Sequence, residues 1–92
     1  MNQASIKLPA NMRSLAGDKS EHTVEAATAA AALDLVCVEY PELRDRLLTP
    51  EGELQSFVNI FLNGKNLRDL NGLKTELTHG AELLVVAALA GG

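Results

Sequence analysis

The sequence has no tryptophan, and its 92 residues include one tyrosine, two phenylalanines and one cysteine. A single cysteine cannot form an internal disulfide, and Cys37 stands at no metal-ligand spacing from His22 or His79, so we expect no metal site. No apolar run approaches the length that crosses a bilayer, and the N-terminus has no signal-peptide core. We therefore expect a cytoplasmic protein with no membrane partner.

Basic residues are also few, with eight lysines and arginines against twelve aspartates and glutamates. Binding to nucleic acid phosphates needs a basic stripe, so the net charge of −4 argues against a nucleic-acid partner. Apolar residues make up 47% of the chain, which is enough for one small core at this length. Because aromatic residues are scarce, that core must be aliphatic.

The first half of the chain predicts two strands and one helix. Alternation of side chains indicates short strands at residues 4–8 and 20–24, which would form a hairpin. The alanine-rich stretch after them predicts a helix from about Glu25 until the pattern ends at Pro41. The residues predicted to face the core are Ile6, Leu8, Ala29, Leu33, Val36 and Tyr40, with Ala32 and Cys37 at the margins.

The second half contains the clearest turn signal. The apolar run 57–62 is followed by Asn63-Gly64, a dipeptide that tolerates positive φ and favours a tight turn between antiparallel strands. The connection before it, residues 41–55, is predicted to be a helical turn and loop that places Leu43 and Leu47 against the core. The remaining predicted elements are a return strand near residues 66–68, a helical turn near 74–77 and a last strand at 82–88.

The alternation of side chains along a strand assigns the residues of the second hairpin and of the last strand to two opposite faces of the sheet. Because Asn59 is the polar member of its run, the alternate residues Val58, Ile60 and Leu62 are assigned to the core. Leu83 and Val85 are assigned to it in the same way. The opposite face would then carry four apolar side chains, namely Phe57, Phe61, Leu84 and Val86.

The order of these elements predicts an α+β fold. Two strands, a covering helix, a connection, a hairpin and a final central strand parallel to the first match the β-grasp, a mixed sheet of four to five strands with one main helix on one face. We assign residues 1–88 to this domain and residues 89–92 to a flexible C-terminal tail that ends in Gly-Gly.

The motifs resemble those of the ubiquitin-like sulfur-carrier proteins. The run 57–64, the later His79-Gly80-Ala81-Glu82 and the closing residues 88–92 carry the resemblance, which covers nearly the whole chain. This family includes the small subunit of molybdopterin synthase and the thiamine sulfur carriers, and the chain is most similar to its cysteine-biosynthesis branch in actinobacteria. Two positions depart from the pattern: Ala87 stands where many relatives have proline, and His79 where an acidic residue is common.

The resemblance implies a protein cosubstrate and not an enzyme. An adenylating partner would use ATP to activate the carboxylate of Gly92, and a sulfur donor would convert it to a thiocarboxylate that carries sulfur for biosynthesis. No cofactor would be bound, because the sulfur is held covalently at Gly92. The residues implied to thread into the partner active site before it are Gly91, Ala90, Leu89 and Ala88.

The resemblance also implies the classes of partner. They are an E1-like adenylyltransferase and sulfurtransferase, a sulfur-accepting biosynthetic enzyme of the cysteine-synthase type or another type, and a metalloprotease that trims the C-terminal adduct. We expect the outward face of Phe57, Phe61, Leu84 and Val86 to be the docking patch, since exposed apolar patches mark interaction sites. The same face could instead be covered by the 41–55 connection or by a second copy of the chain.

Three other functions remain open at this stage. The same tail would serve a ubiquitin-like modifier that forms isopeptide bonds, or a permanent small subunit of a molybdopterin-synthase-like complex. A β-grasp module that uses only its sheet face is the third. The residues show no nucleophile beside a base and no phosphate-binding glycine loop. We interpret Cys37 as a core residue, His22 and His79 as exposed residues, and the cluster 44–46 as a solvated surface.

Overall fold

The alternating segments of the sequence form the strands of one mixed sheet in the computed structural model, which describes residues 2–87. The strands are β1 (Asn2–Lys7), β2 (Glu21–Ala26), β3 (Val58–Leu62), β4 (Lys65–Asn66) and β5 (Ala81–Ala87). The helices are α1 (Ala10–Arg13), α2 (Ala29–Glu39) and α3 (Pro41–Leu47), with 3-10 turns at Leu67–Asp69 and Gly72–Lys74. No helix in this part of the chain has the length and apolar character that a membrane span requires.

The sheet has the strand order β2-β1-β5-β3-β4. Strand β5 lies at its centre, parallel to β1 and antiparallel to β3, while β1 and β2 form the predicted hairpin. Helix α2 packs on one face, and its buried residues join those of β1, β3 and β5 in one core. The architecture is a ubiquitin-like β-grasp, so the predicted fold class and the central position of the last strand are confirmed.

The turn between β3 and β4 fixes the hairpin against the central strand. Asn63 and Gly64 have φ angles of 49° and 90°, which is the left-handed backbone that this dipeptide was expected to supply. Asn63 also donates its backbone N–H to the carbonyl of Glu82 at 3.0 Å. Its side-chain oxygen accepts from the N–H of Glu82 at 2.9 Å. The turn is therefore bound to the start of β5.

Helix α2 begins later than its alanine content predicts. The expected start near Glu25 is wrong, because Glu25 and Ala26 pair with β1 as the end of β2. Helix propensity is a weak preference that sheet pairing overrides. Thr28 caps the helix instead, and its hydroxyl oxygen accepts from the N–H of Ala31 at 3.2 Å. Pro41 follows the end of α2 and occupies the first turn of α3, a position that suits its missing N–H.

The core is aliphatic, as the composition predicts. Its assigned members, including Leu43 and Leu47 of α3, are buried, except for Tyr40 and Leu62, which are partly buried and pack against them. The loop expected after β1 contains the short helix α1, because Met12 and Ala16 fill the core there. The predicted strand 66–68 is wrong beyond Asn66, because β4 is Lys65–Asn66 and Leu67–Asp69 form a 3-10 turn. The helical turn predicted at 74–77 lies earlier, at Gly72–Lys74. Residues 75–77 instead bind the start of α2 through two backbone hydrogen bonds.

Truncation of buried and exposed side chains tests these faces. Leu33 and Ile60 are at most 1% exposed, so Leu33→Ala or Ile60→Ala should lower the free energy of unfolding by about 2–5 kcal/mol by leaving a cavity. Val38 lies on the outer side of α2 with 67% of its surface exposed, so Val38→Ala is the control and should change stability by less than about 0.5 kcal/mol. Chemical denaturation measures all three. Equal stability of the three variants would contradict the assigned faces.

Candidate functional site: the open sheet face and the end of β5

The central strand carries the chain to the predicted tail. Ala87 is the last described residue, and it pairs with Val58 at the start of β3. The described part of the central strand therefore ends beside the first residue of β3. The residues predicted to act in the partner active site, Ala88, Leu89, Ala90, Gly91 and Gly92, lie outside the described residues, and their roles stay predictions.

Three residues of the predicted docking patch, Phe61, Leu84 and Val86, share the sheet face opposite α2, and the fourth, Phe57, directly precedes β3. Phe61 pairs with Leu84 across β3 and β5, and Val86 pairs with Asn59 one step closer to the tail. Leu84, Val86 and Phe57 keep 45%, 43% and 43% of their surface exposed, and Phe61 is half-buried. Parity therefore placed Phe61, Leu84 and Val86 on one face, and the 41–55 connection leaves these three side chains and Phe57 at least partly open to solvent. That they bind a partner stays a prediction.

A polar network borders this docking patch beside β3. The Arg68 guanidinium donates from Nε to Asn59 Oδ1 at 3.1 Å, and from Nη2 to the carbonyls of Gln55 and Val58 at 2.9 and 2.6 Å. Asn66 Nδ2 donates to the same Asn59 oxygen at 3.2 Å. The sequence analysis missed Arg68, since only the polar Asn59 within an apolar run hinted that a partner was needed there.

The other border of the docking patch carries an ion pair. Lys7 Nζ lies 3.5 Å from a carboxylate oxygen of Glu82, and both side chains are about half exposed or more. Such a pair contributes little to stability because water screens it. It does place hydrogen-bonding groups beside Leu84, so the apolar docking patch has polar groups on both sides.

The expectation that His22 is exposed is wrong. Only 8% of its surface is accessible, because His22 and Ala26 point from β2 toward the helix while Glu21 and Thr23 point outward. The imidazole packs edge-on against the Tyr40 ring, with centroids 5.4 Å apart. His79 is exposed in its turn, as predicted. Within residues 2–87, no three His, Cys, Asp or Glu side chains are placed to hold a metal ion.

Cys37 is a core residue, as predicted. It is 1% exposed on the inner side of α2, and burial raises the pKa of its thiol, an effect that the nearby Arg44 guanidinium only partly opposes. The reactive form of cysteine is the thiolate, which burial disfavours. Burial and the raised pKa both disfavour the reactive thiolate of Cys37, which is consistent with its role as a core residue.

A protein-family model matches most of this chain. The model of the ThiS family matches residues 6–92, which includes the docking patch and the whole C-terminal segment. The chain belongs to the ThiS family. The predicted relationship to the ubiquitin-like sulfur carriers is thereby confirmed.

Individual relatives agree with this membership. The sulfur carrier protein CysO of Mycobacterium tuberculosis is 28% identical over 90 residues, which span 96% of this chain and 97% of the relative. The small archaeal modifier protein 1 of Methanosarcina acetivorans has a solution structure with a TM-score of 0.87 and 30% identity, covering 100% of this chain and 98% of its own. A chain of the Amycolatopsis orientalis BexX/CysO complex has a TM-score of 0.88 and 27% identity, covering 97% and 99%.

The buried thiol predicts a pH dependence of stability. Because the pKa of Cys37 is higher in the folded protein than in the unfolded chain, the folded protein binds more protons at alkaline pH. This contribution to stability is intact at neutral pH and declines as the pH rises above about 9. Cys37→Ala removes it, so the wild type should lose stability relative to this variant between about pH 8 and pH 10. Parallel curves from chemical denaturation would contradict the assignment.

Proposed function

We propose that this chain is a sulfur carrier whose C-terminal carboxylate, at Gly92, is adenylated and converted to a thiocarboxylate that donates sulfur in biosynthesis. The similarity to the mycobacterial CysO over 96% of the chain carries this proposal. It is supported by the family match, which runs through Gly91 and Gly92, and by a central strand that leads from the docking patch toward that end.

The chemistry suits a terminal carboxylate. A carboxylate is a poor acyl donor, but adenylation by ATP turns it into a mixed anhydride with AMP as a good leaving group. Sulfide can then attack the Gly92 carbonyl, so that a carbon–sulfur bond forms as the bond to AMP breaks. The product is anionic at neutral pH, and its sulfur is nucleophilic for the same reason that a thiolate is. Glycine at positions 91 and 92 lets a narrow channel admit this group.

Because the chain supplies only the carboxylate that is activated, other proteins must catalyse each step. The chain acts as a cosubstrate of an E1-like adenylating enzyme that uses ATP, and then of an acceptor enzyme of the cysteine-synthase type or one that forms another sulfur-containing metabolite. A metalloprotease then releases the product from the carrier. The Amycolatopsis orientalis relative forms a complex with BexX, which supports a folded protein partner, and we assign the docking of such a partner to the exposed patch of Phe57, Phe61, Leu84 and Val86.

A protein modifier is the second candidate function. The similarity to the small archaeal modifier protein 1 favours it, since that relative is 30% identical over the full chain. In this case a lysine amine attacks the activated Gly92 carbonyl and forms an isopeptide bond. Thiocarboxylate on the free protein supports the carrier, whereas ladders of conjugates on a blot of cell extract support the modifier.

The tail is tested by intact mass spectrometry. After incubation with ATP, sulfide and a candidate adenylating enzyme, the wild type should show replacement of one oxygen by sulfur at the C-terminus. Deletion of Gly92, or Gly91→Val, should abolish this change without lowering the melting temperature, because a chain end contributes little to the core. Val38→Ala is the control and should react like the wild type. Conversion of the deletion variant would contradict the proposal.

The docking patch is tested with two matched substitutions. Leu84→Ser and Leu35→Ser each remove one leucine of similar exposure, 45% on the sheet face and 48% on the outer side of α2. Leu84→Ser should raise the KM for the carrier in the adenylation reaction by about tenfold, as expected for a contact that a partner buries. Leu35→Ser should leave KM unchanged. An equal effect of both substitutions would show that the sheet face is not the docking surface.

A further inference from the structure

Arg68 clamps the turn that precedes β3. The N–H of Val58 donates to the carbonyl of Gln55 at 3.0 Å, which closes a turn with Phe57 inside it. Arg68 Nη2 donates to the carbonyls at both ends of this turn, those of Gln55 and Val58. The guanidinium therefore spans the backbone on either side of Phe57.

The Arg68 side chain also fixes Asn59, the polar residue of β3 next to the docking patch. Arg68 Nε and Asn66 Nδ2 both donate to Asn59 Oδ1, and the backbone N–H of Arg68 donates to Asn66 Oδ1 at 2.9 Å. These bonds form a closed ring of three residues. Asn59 pairs with Val86 of β5, so the ring fixes the orientation of a side chain that lies among the apolar residues of the docking patch.

Phe57 directly precedes strand β3. The described ladder begins at Val58, and Phe57 keeps 43% of its surface exposed, so the clamp acts on backbone next to an exposed aromatic side chain. Val58 is opposite Ala87, the last described residue before the tail. The clamp thus acts where the docking patch meets the end of β5.

We propose that Arg68 is a positioning residue that holds Phe57 in its docking conformation beside the strand end from which the tail leaves. This inference rests on the proposed function, because it takes the adenylating enzyme as the partner that contacts Phe57. A side chain that is ordered before binding loses less conformational entropy on association. Arg68 therefore favours formation of the complex and leaves the chemistry at Gly92 unchanged.

The kinetic test uses Arg68→Gln, which shortens the side chain and removes the charge and the bridging donors. Its KM for the carrier in thiocarboxylate formation should rise by roughly fivefold to tenfold, while kcat stays within about twofold of the wild type. Arg44→Gln is the matched control, since Arg44 is bound to Asp34 on the helix side of the molecule and should leave both constants unchanged. A fall in kcat at constant KM, or no change in KM, would overturn the proposal.

A double-mutant cycle separates positioning from direct contact with the partner. If Arg68 acts through Phe57, Arg68→Gln should raise KM by less than about twofold when Phe57 is already alanine. If Arg68 itself pairs with a carboxylate of the partner, the substitution keeps its full effect in the Phe57→Ala background, and the positioning role is refuted.

Amide hydrogen exchange tests the clamp without any partner. In Arg68→Gln the N–H of Val58 should exchange faster than in the wild type, while that of Leu83 in the core keeps its protection. Arg68→Lys keeps the charge and one donor nitrogen, but it lacks the second nitrogen that binds Asn59 at the same time, so it should show the same pattern to a smaller degree. A rise in KM that disappears after correction for the folded fraction would overturn the proposal. Because exchange needs no adenylating enzyme, it tests the clamp even if the wild type forms no thiocarboxylate.

Discussion

The structure depends on the two-sided pairing of one strand. Strand β5 is bound to β1 on one side and to β3 on the other, so its position and register are fixed by both neighbours. Its side chains alternate between two environments: Leu83 and Val85 complete the core, while Leu84 and Val86 face solvent. A register slip of one residue would exchange these sets and bury the docking patch. The same constraint therefore fixes the fold, the exposed patch and the point from which the chain continues to Gly92.

Period-two patterns were the part of the sequence that predicted the structure best. They located most strands and assigned the faces of Ile60 and Leu84, and the order of the elements then indicated the central position of β5. Boundaries were predicted less well, since the alanines before Thr28 have high helix propensity and yet Ala26 pairs with Asn2 in the sheet. The local sequence was sufficient to predict that helix α2 exists, but pairing of the preceding residues with β1 determines where the helix begins.

Side-chain networks were outside the reach of sequence reasoning. Histidine is a polar residue that sequence reasoning places at the surface, and only the observed register of β2 shows that His22 faces Tyr40. Arg68 is nine positions from Asn59 in the chain, and no periodic pattern connects them. These contacts form because the tertiary structure brings the segment after β4, which carries Arg68, against β3 and the turn before it. A single cysteine excludes an internal disulfide and so limits what a site can be, but composition does not place the polar groups that shape the site.

Exposed apolar surface alone would not identify the docking face. Helix α2 also exposes Leu35 and Val38, so apolar side chains are open to solvent on both sides of the molecule. The sheet face differs in its surroundings, because polar groups border it and it contains a hydrogen-bonded polar side chain, Asn59. It also lies on the strand that leads to Gly92, whereas α2 is separated from that strand's open face by the sheet. A partner that accepts the chain end could contact the sheet face at the same time, and for this reason we propose the sheet face as the docking surface.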